Sequence, residues 1–101
     1  MASKRALILN QKDSVANVLE EVEPGDQIMA NSGNDTLVID AVERIPFGFK
    51  VALRDISQGE PMFKYGEIIG RASQAIRKGA LVHVHNLEGV RGRGDLRRSR
   101  Q

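Results

Sequence analysis

Apolar residues fall in short runs separated by polar clusters and by glycine or proline, and no run exceeds five residues. Residues 6–9 (Ala-Leu-Ile-Leu) read as a buried strand, ended by Asn10-Gln11-Lys12-Asp13. Val15, Val18, Leu19 and Val22 then stand at the i, i+3, i+4, i+7 spacing of one helical face. The spacing predicts a short helix capped by Asp13 or Ser14 and stopped by Pro24-Gly25. Residues 26–30 and 36–42 predict two strands, the second rich in β-formers (Thr36, Val38, Ile39, Val42). The turn formers at 31–35 join them into a hairpin.

In the second half, Pro46, Gly48, Gly59, Pro61, Gly66, Gly70 and Gly79 leave only short pieces, as expected of a compact β-structure with tight turns. Residues 71–78 are ambiguous, because Ala72, Ala75 and Ile76 suit one helical turn. An internal repeat decides against it. Ala52-x-x-x-Ile56-x-x-Gly59-x-x-Met62 recurs 20 residues later as Ala72-x-x-x-Ile76-x-x-Gly79-x-x-Val82, and its ending recurs as Val22-x-x-Gly25-x-x-Ile28. Each copy reads as an apolar anchor, a turn at a glycine and a strand that starts on an apolar residue. The expected fold is therefore mainly β, with one or two short helices.

The two histidines lie in Leu81-Val82-His83-Val84-His85-Asn86. On a strand over residues 80–87, period two places His83 and His85 on one face, about 6.5–7 Å apart, close enough to share a divalent metal. The plain alternative is two half-exposed histidines on an edge strand. Lys64-Tyr65-Gly66-Glu67 is a second polar cluster, with a cation and a hydroxyl suited to a carboxylate, or simply a turn with a snorkelling lysine. Glu20, Glu21 and Glu23 read as a solvated face.

Composition narrows the classes. The 101 residues allow one small domain with little interior to spare, too small to enclose a deep pocket and also supply every catalytic group. There is no cysteine, hence no disulfide framework and no thiolate chemistry. The apolar stretch near the N-terminus is only four residues long, below the roughly 7–15 of a secretory segment. A cytoplasmic location is the expectation. The net charge of +2 and the pI near 9.3 suggest a polyanionic partner until the charge is located. Residues 1–90 hold 10 basic and 12 acidic groups, whereas 91–101 hold five arginines and one aspartate. The body is mildly acidic and the basic character is a tail. Its single Arg91-Gly92-Arg93-Gly94 copy, without aromatic residues, argues against nucleic acid.

Read in order, three segments resemble a known family. They are residues 45–56 (Ile-Pro-Phe-Gly-Phe-Lys-Val-Ala-Leu-Arg-Asp-Ile), Lys64-Tyr65-Gly66 with Ile69-Gly70, and Val82-His83-Val84-His85-Asn86 running into Arg91-Gly92-Arg93-Gly94-Asp95. The chain resembles the small N-terminal domain, or separate small subunit, of altronate and galactarate dehydratases, a group that includes sulfolactate sulfo-lyase. About half the chain carries the motifs, and nearly all of it fits by length and motif order. The resemblance implies a SAF-type β-clip fold over 1–90, with 91–101 as an Arg-rich tail toward a protein partner. It also implies β-elimination from a 2-hydroxy acid, a carbon–oxygen lyase reaction performed with a large catalytic subunit rather than by this chain alone. A divalent metal is implied, iron first and manganese or magnesium as alternatives, shared with that subunit. His83 and His85 are the expected metal ligands, and Lys50, Lys64 and Asn86 the expected substrate contacts. No catalytic residue is assigned, and a homo-oligomer is allowed for the isolated chain. One departure stands out: the family usually carries Gly-His-Lys where this chain has Gly48-Phe49-Lys50. Phenylalanine neither binds metal nor transfers protons, so a non-catalytic binding or regulatory module is the alternative.

Overall fold

The computed structural model describes residues 2–89. The Arg-rich tail and its Arg-Gly-Arg-Gly-Asp motif lie outside the described residues.

The internal repeat organises the whole molecule, and it has four copies rather than three. Val18-x-x-x-Val22-x-x-Gly25-x-x-Ile28 and Ala41-x-x-x-Ile45-x-x-Gly48-x-x-Val51 join the two read from the glycine spacing. In every copy the residue after the glycine donates its N–H three residues back: Asp26 to Glu23, Phe49 to Pro46, Glu60 to Ser57 and Ala80 to Arg77, each at 3.0 Å. The third turn residue is always a glycine at positive φ: 91° at Gly25, 85° at Gly48, 85° at Gly59 and 89° at Gly79. This is the type II arrangement, which side-chain-bearing residues enter only with strain.

The copies pair reciprocally. Gly25 donates to the Ala41 carbonyl, and Gly48 to that of Val18; Gly59 donates to Ala72, and Gly79 to Ala52. The anchors pair too, as two isolated bridges, Val22 with Ile45 and Ile56 with Ile76. Each pair of copies is thus a clip of two turns that close on one another's entry residue. Those entry residues (Val18, Ala41, Ala52, Ala72) are all buried, because a carbonyl that receives a turn must sit inside it.

The strands run β1 (Ser3–Leu7), β2 (Val15–Val18), β3 (Gln27–Ser32), β4 (Asp35–Asp40), β5 (Lys50–Ala52), β6 (Pro61–Lys64), β7 (Glu67–Ala72), β8 (Leu81–Val82) and β9 (Leu87–Gly89). Six form one sheet in the order β4-β3-β1-β2-β5-β8, and three form a second in the order β6-β7-β9. All neighbours are antiparallel except β1 and β3. The central strands β2 and β5 are buried on both faces. Ala16 and Val51 enter a core with Ile28, Ile39 and Ile45; Val15 and Ala52 enter another with Ile56, Met62, Ile76 and Val82.

The mainly β class is thus found, and no helix occurs among the described residues. The helix expected from Val15, Val18, Leu19 and Val22 is instead strand β2 followed by a turn. Its spacing misled because both faces of β2 are buried, so no polar face remains to reveal period two, and β-branched valines favour the extended chain. The first strand lies upstream of 6–9, since its parallel ladder to β3 runs Ser3 to Leu7 and leaves Leu9 exposed. The expected hairpin forms, with Ser32 opposite Asp35 across Gly33-Asn34.

Two stability tests follow from the clips. A Cβ on Gly79 would lie 2.0 Å from the Asp40 carbonyl oxygen, whereas one on Gly59 would meet open space. Gly59→Ala is expected to cost about 1–2 kcal/mol from backbone strain alone, and Gly79→Ala clearly more, read from urea unfolding midpoints. Asp26, behind the first turn, accepts the Glu23 N–H at 2.9 Å and the Ala2 N–H at 3.2 Å, with Lys4 Nζ at 3.3 Å. Those contacts, the Glu23 N–H foremost, hold its carboxyl below the ordinary 3.8. The carboxylate therefore stabilises the fold fully above that value and ceases to do so as pH falls through the lower folded one. Asp26→Asn should unfold earlier than the parent at neutral pH, and the gap should close progressively below about pH 4.

Candidate functional site

Asp13 and Ser14, expected as helix caps, anchor a distant hairpin instead. Ser14 donates its N–H to the Phe63 carbonyl at 2.9 Å, and its Oγ accepts the Phe63 N–H at 3.0 Å. Asp13 Oδ1 accepts the Gly66 N–H at 2.8 Å. Short polar side chains that capture backbone donors serve a cross-chain contact as readily as a helix start. The hairpin they hold has Lys64 opposite Glu67, with Tyr65 and Gly66 as a two-residue turn at φ 59° and 76°. Positive φ at both central residues is the type I′ pattern; a tyrosine there is strained, and its ring is 61% exposed. The Lys64 ammonium lies over that ring, 4.0 Å from its centre.

Lys50 lies on β5 between Asn17 of β2 and Val82 of β8, on the sheet face that the second core covers. It is half-buried, and burial first, then the Lys64 charge, pull its ammonium below the usual lysine range. Among the described residues neither lysine has a carboxylate at ion-pair distance, although Lys4, Arg5, Arg44 and Arg54 each have one. Asn17, the cross-strand neighbour of Lys50, donates Nδ2 to the Gly48 carbonyl at 2.8 Å. The result is two like charges near one another with no carboxylate at ion-pair distance among the described residues, one of them partly stripped of water. An arrangement of this kind is chemically suited to an anion.

The histidine segment differs from its expectation. Strand β8 ends at Val82, and residues 83–86 form a turn, so no strand face carries both His83 and His85. The turn is set by Asn86, which is buried: its Oδ1 accepts the His83 N–H at 2.9 Å, and its Nδ2 donates to the Leu81 carbonyl at 2.9 Å. Both ends of this amide are thus committed to backbone, a structural role in place of the expected substrate contact. His83 packs on Phe49 with ring centres 4.6 Å apart, and Phe49 and Leu81 pack against the first core. His83 and Phe49 therefore belong to the opposite side of the sheet from Lys50 and Val82. The His85 side chain is exposed, while its carbonyl accepts from Ser73 and Gln74. Among the described residues no three His, Asp or Glu side chains come together as a metal site. The two histidines do not by themselves fit a metal.

Of the five expected residues, the structure sets Lys50 within electrostatic reach of Lys64 and places His83 on the other side of the sheet from Lys50. Sequence reasoning missed Asn17; Tyr65 belongs to the polar cluster the sequence offers, and the Tyr-Gly pair between two strands is the signal for its place at a type I′ tip. No helix of the described residues is long and apolar enough to cross a membrane.

Residues 4–90 match the family model of the altronate/galactarate dehydratase SAF domain. The chain is 40% identical over 73 residues to the (2R)-sulfolactate sulfo-lyase subunit alpha of Chromohalobacter salexigens, covering 70% of this chain and 78% of that one. It is 32% identical over 83 residues to the altronate dehydratase of Bacillus subtilis, covering 82% of this chain and only 16% of that enzyme. The corresponding alpha subunit of Paracoccus pantotrophus is 36% identical over 58 residues, 57% of this chain and 87% of that one. A domain of this length thus stands as a separate subunit in some relatives and as a small part of one long polypeptide in others. Its sequence, its clipped β-architecture and the extent of the match establish that the chain belongs to the altronate/galactarate dehydratase SAF domain family.

Proposed function

We propose that the chain is the small subunit of a heteromeric lyase that eliminates water or sulfite from a 2-hydroxy acid, with Lys50 and Lys64 receiving the acid's negative charge. The observation that carries this reading is a pair of neighbouring cations with no carboxylate at ion-pair distance among the described residues, one held below its usual pKa range by burial and by the other. Two relatives are named as alpha subunits of a sulfo-lyase, and another as a dehydratase. Substrates of both kinds are anionic, and two lysines suit a carboxylate or sulfonate held at the edge of a core. Eliminating a group β to a carboxylate places charge on that carboxylate as the α-proton leaves, so cations there favour the transition state over the ground state. Lys64 is fixed by Tyr65 and the clamped hairpin, and Lys50 by β5, so neither must be ordered when substrate arrives.

A divalent metal, if the reaction uses one, takes its ligands from the large subunit, with His83 or His85 as an added contact. The chain's own contribution is charge and position. The base that removes the proton belongs to the large subunit on this reading, consistent with the small interior of the domain.

A second reading is supported by Phe49. Its ring occupies the place beside His83 with an apolar surface, which favours packing over proton transfer. A non-catalytic module that retains the fold is the form this reading takes.

Lys50→Met separates the two readings when the chain is co-purified with a large subunit from the same source. A lowered ammonium pKa means that the unfolded chain holds this proton more tightly. The charged form therefore costs stability at neutral pH, and the cost fades as pH rises through the folded value. Lys50→Met should raise the urea midpoint of the isolated chain while lowering kcat/KM of the complex about 10- to 100-fold, the loss expected for one charge-assisted contact. Unchanged kcat/KM in both Lys50→Met and Lys64→Met would overturn the substrate-binding role. If Phe49→His also leaves turnover and metal content unchanged, the binding module is the better account.

A further inference from the structure

Among the described residues Tyr65 is the one non-glycine at positive φ, at 59°. The first central position of a type I′ turn favours Asn, Asp or Gly, and a tyrosine there is under steric strain. Burial does not offset that strain, because most of the residue is exposed. Such a conformation persists only where the surrounding structure enforces it, and conformations of this kind collect at functional sites.

Three residues of the 10–14 loop enforce it. Asp13, buried, accepts the Gly66 N–H at 2.8 Å. Ser14, also buried, exchanges two hydrogen bonds with Phe63, at 2.9 and 3.0 Å. Asn10 lies so close that a Cβ on Gly66 would be 2.7 Å from its Nδ2. Ser14 directly precedes β2, whose Asn17 stands opposite Lys50. The brace that fixes the turn therefore also fixes the hairpin relative to Lys50.

What the turn sets is the direction of Lys64. That lysine stands directly opposite Glu67, where a cross-strand ion pair is the ordinary outcome. Among the described residues no ion pair joins the two, and the ammonium lies over the Tyr65 ring instead, 4.0 Å from its centre. An exposed cation gains a similar amount from an aromatic face and from an exposed carboxylate, so the ring is able to win this contest. From these contacts we infer that Tyr65 is a positioning residue: it keeps Lys64 off Glu67 and so leaves an unneutralised charge beside Lys50 for an anion. The role rests on the anion-binding reading of the two lysines proposed above.

The test compares variants of the full-length chain by urea midpoint and by NMR titration of Lys50. Tyr65→Asn suits the turn, so its midpoint is expected to rise. With the ring gone Lys64 turns to Glu67, and Lys50 is expected to titrate closer to the ordinary 10.5, part of the way only, since burial remains. Tyr65→Phe, which keeps the ring, should restore the parent's titration, and Glu67→Gln added to Tyr65→Asn should move it back toward the parent. In a Lys64→Met background Tyr65→Asn should change nothing further at Lys50, because the ring acts through Lys64. In complex with a large subunit, Tyr65→Asn is expected to lower kcat/KM about 10-fold in spite of its greater stability, whereas loss of a packing residue lowers both. A lower midpoint with the Lys50 titration unmoved overturns the positioning role. So does a Lys50 shift that survives in the Lys64→Met background, or one that Glu67→Gln does not reverse. Parent-like kcat/KM in Tyr65→Asn, where Lys50→Met lowers it, overturns it as well. If Lys50→Met and Lys64→Met both leave kcat/KM unchanged, the anion-binding reading fails, and the Lys50 titrations alone decide whether Tyr65 positions Lys64. Should Tyr65→Asn not fold, Tyr65→Gly takes its place in every comparison.

Discussion

The exchange of hydrogen bonds between paired glycine turns is the constraint on which the rest of the structure depends. Each turn donates a glycine N–H into a carbonyl that begins the other copy, and the anchor residues close the pair in both directions at 2.8–2.9 Å. Loop closure is entropically unfavourable for a small β-protein rich in non-local contacts. Here each closure is shared, because one clip fixes two turns and launches two strands. The first clip launches β3 and β5, and the second launches β6 and β8. The sheets therefore inherit their positions from the clips, and both cores form where the anchors and entry residues meet.

Legibility in the sequence followed this hierarchy. The glycine spacing revealed the repeat and ruled out a helix at 71–78, because a positive-φ position constrains residue type strongly. Two copies were legible in full. The Val18 and Ala41 copies were not, because their entry residues differ in size and their anchors are Val22 and Ile45 rather than two isoleucines. Strand β2 was read as a helix for a related reason. A strand covered on both faces has no period-two signature, and four residues are too few to separate its apolar pattern from a helical one. Tertiary position, not local preference, decided that segment.

The candidate site shows the same division. Lys50 and Lys64 are 14 residues apart in the chain and come within electrostatic reach because β5 and the β6–β7 hairpin share the second core. Nothing local in either segment announces the pairing. The His-x-His spacing is a local pattern whose strand reading misled, because Asn86 turns the chain immediately after Val82. An asparagine placed to satisfy a turn from within looks, in sequence, like one placed to meet a ligand. The distinction lies in whether both ends of its amide are taken by backbone.

The two unusual features of the surface have one physical origin in common. A half-buried lysine beside another cation costs stability, and an open apolar strand edge invites association; small domains have little stability to set against either. Arg54, Arg44 and Lys4 are each matched by a carboxylate, and three of the four strand edges are blunted, so the fold does neutralise such liabilities where nothing else is to be met. Among the described residues Lys12, Arg71, Arg77 and Lys78 also lack a carboxylate at ion-pair distance but are exposed to water, so the cations that burial leaves costly are Lys50 and Lys64, and the edge left unblunted is β4. Selection for stability alone removes both by single substitutions, an acidic residue near one and a proline or lysine in the other. In one relative the matched stretch is only 16% of a single long polypeptide, so there the domain lies beside much further chain that could meet such features. On the reading proposed above, an anion completes the lysines, and the domain contributes charge to a site that a partner subunit finishes.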